Sequence, residues 1–280
     1  MHEFLTVTLK LSIIIFLITA MLYIGTRLTL RQILDPLRNA RLVAASLCVS
    51  YILVPLTAIA ITRALPLEQP LRTGLVLLSM TAGSEAGPKF IGTAKGNIPF
   101  SVALLSMQLV VTIIYVPLVL SFLLPEVRID YGNLFLKLFT LVLLPMVSGL
   151  FLKARHGSIA ERLSPLMHKM STVFLFLMAV LIIILHFAEI VRLLGSGAIL
   201  AGILFVVISF NIGYLLGGPG QDTRRTLGFM SGARNASIAL MIASQVFDDP
   251  DVLLMITLTV ILMLVILLPT AYWFGRRAVS

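Results

Sequence analysis

Apolar residues run through this chain in blocks of roughly twenty, joined by short polar segments. A helix needs about 20 mostly apolar residues to cross the hydrocarbon core of a bilayer. Nine blocks reach that length, at 6–26, 41–62, 72–94, 98–124, 132–152, 166–188, 196–217, 224–246 and 252–274. They predict an all-α polytopic membrane protein, a single integral membrane domain over 1–280 with no soluble portion. Two of the blocks are interrupted. Thr81 to Asn97, TAGSEAGPKFIGTAKGN, carries Gly83, Gly87, Pro88 and Gly92 together with Glu85, Lys89 and Lys95 inside an apolar region. Gly228 to Ala239, GFMSGARNASIA, has the same character late in the chain. A membrane helix tolerates such breaks only where neighbours or a cavity satisfy the freed backbone groups. An ionisable side chain at that depth is a functional candidate by default. Two interrupted spans in matching places of two halves point to a transporter binding site. The predicted breaks are Gly87-Pro88 and Gly232.

Composition agrees with the pattern: 59% of residues are hydrophobic and 12% charged, against about 25% charged in soluble domains. The formal charge of +9 comes from basic residues scattered between apolar runs. That is no nucleic-acid footprint, and positive-inside loops account for it. With the N-terminus outside, 13 of the 21 Lys and Arg fall in cytoplasmic segments, among them Arg27, Arg31, Arg38, Arg41, Lys95, Arg224 and Arg225. Six fall outside: Lys10, Arg63, Arg72, Arg128, Lys137 and Arg192. Lys89 and Arg234 lie within spans. The bias predicts an external N-terminus and a cytoplasmic C-terminus. The single cysteine, Cys48, excludes a disulfide framework and a cysteine metal cluster. No cleavable leader pattern precedes the first span, which is its own insertion signal. Each interrupted span is followed by one further span before a gap or the chain end. The halves therefore read as inverted repeats over about 1–124 and 132–280, the second with one more helix.

At the interrupted spans the chain resembles the bile acid:sodium symporter family. The resemblance covers nearly the whole length. It rests on Gly25-Thr26-Arg27-Leu28-Thr29-Leu30, Pro55, Ala94-Lys95-Gly96-Asn97 with Ser101 and Val102, Asn211 to Gly217, Arg225-Thr226-Leu227, and Gly232 with Asn235. It implies a transporter with a core of crossed broken helices and a panel that moves against it. The panel would be the spans at 6–26, 132–152 and 166–188, and substrate would bind in the crevice between the two parts. It also implies residence in the plasma (inner) membrane and a first helix of the family's ten missing here.

The departures from the family pattern concern sodium. Where sodium-using members have a Ser-Asn pair in the first broken helix, this chain has Gly87-Pro88. The glutamate and glutamine of the family's E-x-G-x-Q-N run fall on Met230 and Arg234, its second-span glutamine falls on Ser50, and the position four after Ser101 is Leu105. Ser50 and Ser101 are the residual ion-site positions. The resemblance thus implies a secondary transporter of a small organic anion without sodium coupling, working by uniport, exchange or proton coupling. A sodium-coupled symporter with a degenerate site is the alternative within the class. An intramembrane enzyme or a sensor is the alternative outside it; no H-E-x-x-H or G-x-S-x-G pattern supports an enzyme. No cofactor or metal is expected.

The candidate substrate-binding residues are Arg234, Asn235, Lys89, Ser84, Ser231 and Asn97. Arg234 offers a bidentate guanidinium to an anion, or else caps carbonyls at the break. Glu85, four before Lys89, pairs with it if the helix is continuous. If the break frees it, Glu85 is a candidate proton carrier. Ser237 is a further small polar lining candidate, His186 a candidate relay, and Met230 a packing residue.

Overall fold

The computed structural model describes residues 2–27, 29, 39–123, 131–185, 195–247 and 249–277. Arg31, Arg38, Arg128, Arg192, Leu28, Leu30, His186, Glu189 and Asp248 lie outside the described residues.

The described chain is helical, with no strand. In order it forms α1 (His2–Arg27), α2 (Ala40–Ala64), α3 (Gln69–Met80), α4 (Gly87–Thr93), α5 (Ile98–Leu123), α6 (Gly132–Arg155), α7 (Gly157–Leu185), α8 (Ala198–Leu216), α9 (Gln221–Gly232), α10 (Ala236–Val246) and α11 (Pro250–Arg277). Seven of these are long and apolar enough to cross a membrane: α1, α2, α5, α6, α7, α8 and α11. The other two apolar blocks are split into half-helices, α3 with α4 and α9 with α10. Large side chains such as Leu118, Phe176 and Val265 are exposed, as on a surface that faces lipid.

Most elements extend beyond their apolar blocks, two of them at a polar first turn. α7 begins at Gly157, not 166, and α9 at Gln221, not 224. Hydropathy marks the part of a helix that sits in hydrocarbon, whereas the polar first turns continue on local bonds. At the joint between α6 and α7, Lys153 and Glu161 pair at 3.0 Å. In α9, Asp222 in the first turn meets the positive end of the helix dipole.

α2 and α6 each contain a widened π turn, at Val49–Leu53 and Phe139–Leu143. Each lies just before a proline, Pro55 and Pro145. Proline has no N–H to give the preceding turn, and the ladder adjusts by a π bulge.

Small residues let the helices approach closely. α1 packs against α6 and α7, and a Cβ on Gly149 would stand 2.6 Å from the Leu22 carbonyl of α1. α8 packs on α9, where a Cβ on Gly213 would stand 2.5 Å from both the Leu227 carbonyl and Ser231 Oγ. α11 covers α3 across Gly74.

Candidate functional site

The first break runs over 81–86, before the residues that announced it. Pro88 sits in the first turn of α4, a position where its missing N–H costs nothing. Gly87 opens that helix because α9 passes close by: a Cβ there would stand 2.5 Å from Met230 Sδ. Gly83 has φ +87, which an L side chain rarely adopts. The second break is shorter. Gly232 ends α9, Ala233 is extended, and Asn235 caps α10 by accepting from Ile238 N at 3.0 Å.

The two breaks satisfy each other. Asn235 N donates to the Thr81 carbonyl at 2.8 Å, and Thr81 Oγ1 shares its proton between the Leu78 carbonyl at 2.9 Å and the Asn235 carbonyl at 3.1 Å. Asn235 Nδ2 donates to the Gly83 carbonyl at 2.7 Å. Thr112 Oγ1 of α5 donates to the Ala82 carbonyl at 3.1 Å. Backbone groups freed by the breaks thus find partners inside the protein, as hydrocarbon requires.

Arg234 lies at the centre of this joint, 1% exposed. Its Nη1 donates to the carbonyls of Ser50 (3.2 Å) and Ser79 (3.4 Å). Its Nη2 and Nε donate to the Ser231 carbonyl at 2.6 and 3.1 Å. One guanidinium therefore ties α2, α3 and α9 together. The Ser50 carbonyl is available because its partner five residues on, in the π turn, would be Pro55, which has no N–H. The Tyr51 carbonyl, whose ordinary helical partner would also be Pro55, accepts from Tyr115 OH at 2.7 Å. Of the two readings open for Arg234, the bonds seen are those of a cap on open carbonyls.

A cavity of about 170 Å³ lies beside the joint. It is walled by the break segments, by Phe16 and Tyr23 of α1, by His168, Ser171, Thr172 and Leu175 of α7, and by Val260, Met263 and Leu264 of α11. Ser84, Glu85, Lys89, Arg234, Asn235 and Ser237 all border it. Glu85 stands in the turn before α4, out of helical register with Lys89, and no ion pair joins the two. Its Oε1 accepts from Ser237 Oγ at 3.2 Å. Lys89 is exposed.

Four other candidates lie away from the cavity lining. Asn97 caps α5, accepting from Phe100 N at 3.0 Å, and its own N–H donates to Thr226 Oγ1 at 2.9 Å. Ser231 Oγ is buried without a hydrogen-bond partner among the described residues. Ser101 Oγ donates to the Ile98 carbonyl at 2.7 Å, and Ser50 Oγ accepts from Gln108 Nε2 at 2.7 Å. The sequence reading passed over the far wall of the cavity. Tyr23 stacks on His168 with centroids 4.8 Å apart. His168, Ser171, Thr172 and Leu175 fall at helical spacings of three and four, so one polar stripe on α7 was the available signal.

The chain is similar to transporters of plants and bacteria. The rice (Oryza sativa subsp. japonica) "Probable sodium/metabolite cotransporter BASS2, chloroplastic" is 27% identical over 237 residues, 82% of this chain and 56% of that protein. The Arabidopsis thaliana "Probable sodium/metabolite cotransporter BASS1, chloroplastic" is 26% identical over 241 residues, 85% of this chain and 60% of that protein. The Bacillus subtilis "Uncharacterized sodium-dependent transporter YocS" is 25% identical over 206 residues, 73% of this chain and 63% of that protein. The chain thus spans a little over half the length of its plant relatives. Residues 14–193 match the Sodium Bile acid symporter family, from the middle of α1 through α7 with the first break, and the chain belongs to that family.

Proposed function

We propose that this chain is a secondary transporter of a small organic anion that works by alternating access and does not use sodium. One observation carries the reading: the Arg234 guanidinium at the joint of the two breaks, bound to three backbone carbonyls from three helices. A cation that joins carbonyls of both broken spans does there what a bound ion would do. Being tethered, it cannot be released, so it cannot draw on an ion gradient. It also opposes a second cation nearby. Repulsion between the guanidinium and a sodium ion about 4 Å away is ~4 kcal/mol at an effective dielectric of about 20, roughly a thousandfold in affinity. Gly87, Pro88, Leu105 and Met230 supply no side-chain oxygen. Ser50 and Ser101 keep hydroxyl oxygens with lone pairs, so the side-chain oxygens left for a cation are those two alone among the compared positions.

The anionic substrate class is supported by Lys89 and Arg234, two cations against the single carboxylate of Glu85 among the residues that line the cavity. A volume of about 170 Å³ lies below the ~300–1,000 Å³ of pockets for drug-sized ligands, which favours a small molecule. In this reading α1, α6 and α7 form the panel and the remaining helices the core. The N-terminus is outside and the membrane is the plasma membrane. The relatives' names favour a second reading, sodium-coupled symport, although Arg234 argues against it.

The test is uptake into proteoliposomes with external sodium replaced by potassium or choline at fixed pH. The expected result is undiminished uptake. Uptake that falls to background without sodium, and rises saturably when sodium is restored, supports the second reading and removes the first.

A further inference from the structure

The charges around the cavity are not a uniform field for an anion. Arg234 commits four of its five N–H donors to the carbonyls of Ser50, Ser79 and Ser231. Its side chain is all but fully buried. The more accessible cation is Lys89, exposed and not ion-paired with Glu85. Glu85 is only half-buried. One of its oxygens accepts from Ser237, and the other has no hydrogen-bond partner among the described residues. The hydroxyls on the far wall reinforce this. Ser171 and Thr172 each donate their single proton to the His168 carbonyl, at 2.9 and 2.8 Å. Toward the cavity they therefore present acceptor oxygens.

One small space thus holds an unpaired ammonium and a carboxylate with a free oxygen, with further acceptors beside them. A ligand bearing only a carboxylate would satisfy Lys89 but would share the space with the Glu85 charge and give it no donor. A buried charge needs a partner of opposite sign; Glu85 is half-buried without an ion pair, and Lys89 stands at the exposed edge of the same space.

The geometry points to a zwitterionic substrate, a small amino-acid-like molecule whose carboxylate meets Lys89 and whose ammonium meets Glu85. This rests on the transport reading above and replaces its anion with a molecule that carries both charges. The same ligand arrives with its own charges balanced, so it brings no net charge into the membrane interior.

The test is thermal stabilisation of the purified protein in sodium-free buffer by matched probes, since a ligand that binds the native state raises its melting temperature. The zwitterions are alanine, β-alanine and 4-aminobutyrate, which step the distance between charges. The single-charge controls are propionate, butyrate and propylammonium. The expected result is a saturable shift from at least one zwitterion that no control of equal concentration matches. Glu85→Gln keeps an acceptor for Ser237 but loses the charge, and should weaken that zwitterion by about tenfold or more. Lys89→Met, a change at an exposed position, should do the same. Equal or larger shifts from propionate or butyrate, unchanged in Glu85→Gln, overturn the zwitterion and leave the anion reading standing. A shift from propylammonium alone, or from none of the probes, overturns both.

Discussion

Asn235 makes three different bonds at once. Its side-chain oxygen caps α10, its side-chain nitrogen holds the Gly83 carbonyl across the joint, and its backbone N–H holds the Thr81 carbonyl. Only an amide both accepts and donates in this way. Asn235→Ala loses a cap, worth about 0.5–2 kcal/mol, and leaves the buried Gly83 carbonyl unpaired, at about 1–3 kcal/mol. Asn235→Asp keeps the cap but turns a carboxylate toward that carbonyl. Melting temperatures in detergent should fall in both variants, while Asn235→Ser, which still caps, should recover part of the loss. An Asp variant as stable as the parent would contradict the assignment. The importance of Asn235 and Arg234 was legible in the sequence, because polar side chains beside a glycine break in an apolar span have few other uses. The partners of Arg234 were not legible. The Ser50 carbonyl is free because Pro55 lies five residues further on, and α2 meets the second break only in three dimensions.

At the scale of elements, hydropathy located every span, and Gly and Pro located both interruptions. The first interruption was displaced because Pro88 starts a helix here and does not end one. The segment Ala94-Lys95-Gly96-Asn97 shows what a local motif does once the fold is known. Gly96 N donates to the Ile91 carbonyl at 2.9 Å while Lys95 takes φ 52, a left-handed helix ending. Asn97 then caps α5. Gly96 has no room for a side chain: a Cβ would stand 2.9 Å from Ile91 Cγ2 and 3.0 Å from Thr226 Oγ1. Lys95 carries the cost of the left-handed conformation, roughly 1–2 kcal/mol for a residue with a Cβ, partly offset by the greater chain entropy glycine loses on folding. Lys95→Gly should therefore stabilise the fold by about 0.5–1 kcal/mol, and Lys95→Val should destabilise it. Thermal unfolding of the pair checks this. A lower melting temperature for the glycine variant would show that the Lys95 side chain holds contacts worth more than the strain.

At the scale of the molecule, α1, α6 and α7 pack on one another, and the cavity lies between α1 and α7 on one side and the two breaks on the other. This grouping was not legible from spacing alone. The close approach of α1 and α6 depends on Gly25 and Gly149, two of 19 glycines in the chain, and nothing local marks them as facing each other. A polar contact also joins this group to the second half-helix pair: Lys137 Nζ on α6 donates to Gln245 Oε1 on α10 at 3.0 Å. Gln245 is near the far end of α10, a helix that runs about 16 Å from the joint, whereas Lys89 stands on α4. If the proposed panel rocks against the core to expose the cavity alternately to the two sides, Lys137 and Gln245 must separate in part of the cycle. Holding them together should stop transport without touching the cavity. The experiment pairs Lys137→Cys with Gln245→Cys in a Cys48→Ser background, bridged by a short reducible bis-thiosulfonate. Uptake in proteoliposomes should fall to background on bridging and return on reduction, while each single substitution treated alike keeps its rate. Undiminished uptake by the bridged protein would mean that the α6–α10 contact persists through the cycle, and that the moving parts divide elsewhere than along α1, α6 and α7.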